Sequence, residues 1–394
     1  MLSITSSLTK SAKAPVFILI SIVVVAGLSQ GLLLPVLSIF MEERGISSSV
    51  NGLHATALYI GSFAMSLVAE RLLDRMGFKK LLIVGLVMVT VALPLFPLFT
   101  NLSLWFILRL IVGIGDSAIN FAAQLWLLLV TPPAQRGKII SLYGMFYGLG
   151  FSAGPLGIKL LHFGHMAPFA LLAIFILIML LIVCFKLRAA FPEKQQPGAE
   201  QGHRKYMAIY RMAWFALIPA LLYGYLEAGM NGSFPIYGLR IGLSPSEIST
   251  LLPFFGVGGL ILQLPLGLLS DRIGRKKVLM AAGMLGGILF LIVPLCGTHM
   301  GALLAVFMVA GGLVGSFFSL GLAYAADILP KGLLPAANVI ASFHFSIGSI
   351  VGPNLSGAAM ELGAASSLFI FMGASYALFA ASGFLSRRKS ASQE

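Results

Sequence analysis

The chain has 394 residues, of which 58% are hydrophobic and 10% charged, with a formal net charge of +13. A soluble domain carries roughly 25% charged residues, so this chain cannot furnish a water-facing surface and a soluble fold is excluded. The basic residues lie in short blocks between apolar runs, which is positive-inside patterning and not the footprint of a nucleic-acid binder.

Apolar runs of bilayer-crossing length, about 20 residues, recur along the whole sequence. In hydrocarbon each must be a helix, because a helix satisfies its own backbone hydrogen bonds. Helix 1 is expected at about 15–40, behind Lys10 and Lys13. It exceeds a signal-peptide core and lacks a small-residue cleavage site, so it reads as a retained first span. Helices 2 to 6 follow at about 51–69, 81–99, 103–130, 139–161 and 168–187. A polar stretch, 188–211, holds Pro192, Pro197, Gly198 and Gly202 among scattered charges and reads as a basic linker. Helices 7 to 12 are expected at about 212–237, 248–269, 278–297, 301–328, 338–361 and 367–386. The domains are therefore 1–187, a six-helix bundle, the linker 188–211, and 212–394, a second six-helix bundle. The 44 glycines suit close packing of membrane helices.

Loop charges set the expected orientation. One side collects Lys10, Lys13, Arg71, Arg75, Lys79, Lys80, Arg136, Lys138, the linker, Arg272, Arg275, Lys276, Lys277, Lys331 and the tail Arg387, Arg388 and Lys389. The other holds little beyond Arg44 and Arg240. Both termini are therefore expected in the cytoplasm. The location is an inner or plasma membrane, and the short loops look bacterial. Cys184 and Cys296 lie in apolar runs and suggest neither a disulfide nor a metal site.

The two halves repeat. Gly45-Ile46-Ser47 precedes helix 2 as Gly242-Leu243-Ser244 precedes helix 8. At the same offset, Asp74-Arg75-Met76-Gly77-Phe78-Lys79-Lys80 follows helix 2 as Asp271-Arg272-Ile273-Gly274-Arg275-Lys276-Lys277 follows helix 8. Gly150-x-x-x-Gly154-Pro155 in helix 5 matches Gly348-x-x-x-Gly352-Pro353 in helix 11. Such a repeat implies two bundles from a parallel duplication.

Gly267-x-Leu269-Ser270-Asp271-Arg272-Ile273-Gly274-Arg275-Lys276-Lys277 resembles the conserved loop motif of the major facilitator superfamily. The resemblance spans nearly the whole chain. The first-half copy departs from it, with Glu70 where the family has Gly and Phe78 where it has Arg. Arg109-x-x-x-Gly113-x-Gly115 resembles the superfamily's helix-4 arginine motif. Gly150-Phe151-Ser152-Ala153-Gly154-Pro155 resembles the helix-5 motif of drug/proton antiporters, with Leu156-Gly157 replacing the usual Gly pair. The resemblance implies an all-α membrane fold of 12 transmembrane helices in two six-helix bundles related by pseudo-two-fold symmetry. It also implies that Asp74, Arg75 and Gly77, and Gly267, Asp271, Arg272, Gly274 and Arg275, gate the alternation between states. The plainer reading is that they are turn and topology residues. Gly150, Gly154 and Pro155 form either a flexible or tightly sealed seam between the halves or ordinary membrane-helix packing.

Ionisable groups at membrane depth are functional candidates because burying them is costly. Arg109 and Asp116 lie about two turns apart on one face of helix 4, and Glu227 lies at a similar depth in helix 7. The resemblance places helices 1, 4, 7 and 10 around a central cavity. Asp116 is then read as the proton carrier, Arg109 as its tuner, and Glu227 as a charge for substrate or a second proton. The structural alternative is a static pair on helix 4. Gln30 in helix 1 is a polar cavity candidate, with Asn120, Tyr223, Tyr225 and Asn231 behind it. His54 and His344 read as packing groups, and His162 and His165 as interfacial.

No metal-ligand spacing, nucleophile–base pair or Walker sequence is present, so no enzyme activity, metal or cofactor is expected. The reading is a secondary transporter exporting hydrophobic or cationic small molecules against protons. Its partners are substrate, protons and the bilayer, with no nucleic acid or protein partner. The alternatives are a proton-coupled metabolite symporter, a translocase of lipids or their precursors, and a non-transporting membrane sensor.

Overall fold

The computed structural model describes residues 10–132, 135–191 and 203–385. Residues 192–202 of the expected linker and the tail residues Arg387, Arg388 and Lys389 lie outside the described residues. The chain folds as helices linked by short turns. α1 is Lys10–Glu43. Ser48–Leu98 is one run of 51 residues broken at Gly77 (φ 75°, ψ 167°), far longer than one bilayer crossing needs. Its arms are α2 (48–76) and α3 (78–98). α4 is Leu102–Val130, capped by Asn101, whose side chain accepts from the Leu104 N–H at 3.1 Å. α5 is Arg136–Ala153, and Pro155 turns its continuation into a 3₁₀ segment, Gly154–Phe163. α6 is Ala167–Lys186.

α7 is His203–Arg240 and so begins inside the stretch expected to be linker. Its first arm carries Met, Ala, Arg and Lys, which favour helix despite their polarity, and it bends at Ala213 (φ −131°, ψ 20°) into the apolar span. α8 is Pro245–Ile273, α9 is Arg275–Ile292, and α10 is Met300–Val314 continued by Phe317–Ile328. α11 is Leu334–Leu362 and α12 is Ser367–Ser382. Nine helices among the described residues are long and apolar enough to cross a membrane, Ser48–Leu98 counted once. Large apolar side chains such as Ile261, Leu264 and Leu268 on α8 are exposed. Lipid is the solvent that tolerates such a surface.

The repeated Gly-x-Ser triplets are turn chemistry. Gly45 and Gly242 take positive φ (68° and 95°), a conformation that costs glycine nothing. The serine two residues on then caps the next helix: Ser47 accepts from the Val50 N–H and Ser244 from the Glu247 N–H, each at 3.3 Å. Glu247 returns the bond to Ser244 and completes a capping box.

The chain forms two compact units. One comprises Met1–Val36 and Ala57–Gln196, and the other Leu37–Thr56 and Pro197–Glu394. In the first, α1 and α5 meet backbone to backbone. A Cβ on Gly31 would run into the Phe151 carbonyl, and one on Gly150 into that of Val24. Gly150 and Gly154 of the helix-5 motif thus let α5 pack closely on α1 within this unit.

The second unit has an aromatic core in which Phe234, Phe307 and Phe369 pack within 6.3 Å of one another. It also holds the 37–56 hairpin of α1 and α2. Ser38 and Asn51 both donate to the Gly232 carbonyl at 2.8 Å. Ser48 donates to Gly357 and, through both its N–H and hydroxyl, to Glu361. Arg240 bridges to both carboxylate oxygens of Glu42 at 2.7 and 3.2 Å.

Candidate functional site

The two Asp-Arg-x-Gly turns are built differently. After α2, Gly77 leaves the helical region and the chain docks on the segment following α6. The Phe78 N–H donates to the Ala190 carbonyl at 3.0 Å and the Lys79 ammonium to that of Cys184 at 2.7 Å. Phe78, fully buried, stacks on Trp126 of α4 with centroids 5.5 Å apart. Asp74 and Arg75 are exposed.

After α8, Gly274 (φ 99°) makes the turn. Arg275, in the position equivalent to Phe78, pairs with Asp271 at 3.1 Å and with Asp327 of α10 at 3.2 Å. Gly267 is open to its surroundings and Arg272 is exposed. Both acids facing Arg275 are more than half exposed, so each pair contributes at most about 1 kcal/mol. Removing a buried aromatic ring costs about 3–5 kcal/mol. Phe78→Ala should therefore lower the thermal midpoint well below that of Arg275→Ala, and only the latter's deficit should vanish in high salt. Comparable, salt-sensitive losses in both would refute this ordering.

The acid of α4 is fully sealed. Asp116 and Arg109 both have zero exposure. At 1.5 Å rise per residue they stand about 10 Å apart along the axis, too far for a direct pair. Gly113 and Gly115 bring this stretch of α4 against Leu58 of α2 and Val89 of α3. The polar neighbour of the Asp116 carboxyl is the Gln30 amide of α1, at a geometry short of a full hydrogen bond. Gln30 accepts from the Tyr147 hydroxyl of α5. Asn120 donates to the Asp116 main-chain carbonyl at 3.0 Å and accepts from the Tyr143 hydroxyl at 2.9 Å. The first unit thus joins Asp116, Gln30 and Asn120 to two tyrosines that the sequence did not single out. Their signal was the i, i+4 spacing, which puts both on one face of α5.

The acid of α7 sits among rings. Glu227 is half-buried, with Tyr223 one turn before it as its polar neighbour. Asn231 donates to the Glu227 carbonyl at 2.8 Å. Tyr223 lies 5.9 Å from Phe345 of α11 and 6.4 Å from Phe318 of α10, and those two rings are 6.1 Å apart. All three rings are partly exposed. Tyr225 is buried elsewhere, in the aromatic core. His344 bonds the Leu217 carbonyl at 3.1 Å and packs edge-on to Tyr210, as a packing histidine should. No group of three or more metal-ligating side chains occurs among the described residues.

The model of the Major Facilitator Superfamily matches residues 19–244 and 206–394. The chain belongs to this superfamily. An uncharacterised MFS-type transporter of Bacillus subtilis, YfkF, is 39% identical over 358 residues, covering 90% of this chain and 91% of that protein. Multidrug resistance protein 2 of Bacillus subtilis is 25% identical, covering 88% of each chain. The quinolone resistance protein NorA of Staphylococcus aureus is 23% identical over 63% of this chain and 65% of that one. Among solved structures, a NupG nucleoside transporter variant superposes with a TM-score of 0.78 at 14% identity, over 94% of this chain and 99% of that one. The chain has the major facilitator fold, is a multi-pass membrane protein and is a transporter. Arg109, in the stretch that resembles the superfamily's helix-4 motif, is fully buried.

Proposed function

We propose that this transporter exports lipophilic, cationic small molecules across the cell membrane in exchange for protons, by alternating access. Both termini face the cytoplasm in this reading, as the loop charges favour, and the bacterial origin of the relatives supports a bacterial cell membrane. The observation that carries the proposal is the unlike placing of two acids in apolar helices, Asp116 fully buried and Glu227 half-buried. Asp116 is sealed among helices with a single amide beside it. A carboxyl so placed can exchange its proton only when the helices around it rearrange, which ties protonation to conformation. Glu227 has Tyr223 beside it, whose ring clusters with Phe318 and Phe345. Ring faces and a carboxylate together attract an organic cation, and the rings alone suit neutral lipophiles. Arg109 sets the field along α4, and the two turns after α2 and α8 act as latches. The multidrug relatives favour the same substrate class.

The test is proton flux in liposomes carrying an internal pH-sensitive dye, under an imposed pH gradient. Ethidium or another lipophilic cation should elicit proton movement that buffer alone does not. Silence toward a panel of cationic and neutral lipophiles, with the folded protein verified in the vesicles, would overturn the proposal.

A further inference from the structure

The proposed function names Asp116 as the coupling acid but leaves open what sets its readiness to give up a proton. The answer we draw rests on that reading and on the hydrogen-bond chain around the acid.

A side-chain amide carries one acceptor oxygen and one N–H₂ donor group, and its orientation is fixed by its partners. The oxygen of Gln30 takes the Tyr147 hydroxyl proton. Its N–H₂ is thereby left for the Asp116 carboxyl. Without Tyr147 the amide is free to turn and present its oxygen, an acceptor, to an acceptor. Tyr147 in turn cannot slide past Gln30, because the α1–α5 seam is closed. A Cβ on Gly27 would run into the Tyr147 carbonyl, and one on Gly31 into that of Phe151. The orientation of the Gln30 amide therefore depends on where α5 stands.

Asn120 offers an internal contrast. Tyr143 fixes its amide in the same way, but its N–H₂ goes to the main-chain carbonyl of Asp116 and not to the carboxyl. The other titratable group of this stretch is Arg109, two turns back on α4. From α2 and α3 the contacts here are Leu58, Ser62, Gly85, Met88 and Val89, none of which titrates.

We propose that Tyr147, acting through Gln30, is a positioning residue that makes protonation of Asp116 sensitive to the placement of α5. In the cycle, a shift of α5 would withdraw the hydroxyl, release the amide and remove the donor from the carboxylate.

The test needs no substrate. Infrared difference spectra of the full-length protein in nanodiscs, recorded across a pH titration, report the carboxyl C=O stretch, and the Asp116 band is the one lost in Asp116→Asn. Gln30→Leu should displace the titration midpoint of that band by at most about one pH unit, the lower end of the worth of a hydrogen bond to a charged group, because the contact falls short of a full bond. Tyr147→Phe should displace it in the same direction, the double variant no further than Gln30→Leu, and Tyr143→Phe not at all. Non-additivity of this kind is the mark of one residue acting through another. A midpoint unmoved by Tyr147→Phe, or a double variant showing the two displacements summed, would overturn the proposal while leaving Asp116 as the coupling acid. A band that does not titrate at any pH the folded protein survives would remove Asp116 from coupling, and the role of Tyr147 with it.

Discussion

Asp116→Asn is expected to abolish accumulation driven by a pH gradient while leaving exchange of substrate for substrate across the membrane in place. Asparagine keeps the shape of the side chain and its place beside Gln30 but carries no exchangeable charge. The separation follows from position. Asp116 is fully buried beside the Gln30 amide of α1, whereas the rings that would meet cargo belong to other helices, α7, α10 and α11. Its loss should therefore spare binding and remove the driving force. Everted vesicles given ethidium, with and without an imposed gradient, measure both quantities. A variant that still builds a full gradient-driven difference would sink the assignment. A variant dead in both assays yet folded would make Asp116 part of the binding site.

Glu227→Gln should divide substrates by charge. For a lipophilic cation the change removes the carboxylate next to Tyr223 and its ring cluster, a loss of about 2 kcal/mol, or roughly a 30-fold rise in KM. A neutral lipophile of similar size keeps the rings and should change little. Tyr223→Leu should weaken both classes, since it breaks the ring cluster and takes away the neighbour of the acid. Transport rates for a matched cationic and neutral pair decide the matter. Equal losses for both would mean that Glu227 supports the helix packing and does not read charge.

Much of the fold could be read from the chain, because the bilayer removes alternatives. Long apolar runs can only be helices, and glycines at 45, 77, 242 and 274 mark where the backbone must reverse. The buried acids announced themselves by being charged where charge is costly. Their partners did not. Tyr147 was one of many aromatic residues in apolar helices, and only the closeness of α1 and α5 makes it the neighbour of Gln30. Asp327 lay unremarked at the end of α10 until the fold brought it to Arg275. Phe78 read as a departure from a motif, and only the fold reveals its stacking on Trp126, across two helices. The start of α7 was misjudged because its first arm has the polarity of a linker and the helix propensity of a span. Composition reports on solvent, and propensity on backbone; here they disagreed.

The 37–56 hairpin bears on how the protein is made. Asn51 finds its acceptor, Gly232, 181 residues further along the chain. Ser48 finds Glu361 after 313. At about 5–20 residues per second, the ribosome delivers Gly232 roughly 10–40 s after Asn51 has emerged. Until then the newborn hairpin holds Ser38, Ser48, Asn51 and Thr56 in the insertion machinery or at the lipid headgroups without the carbonyls that later receive them. The first six helices made alone lack these acceptors for the 37–56 hairpin. The hairpin gains its last partners only when α11 supplies Gly357 and Glu361.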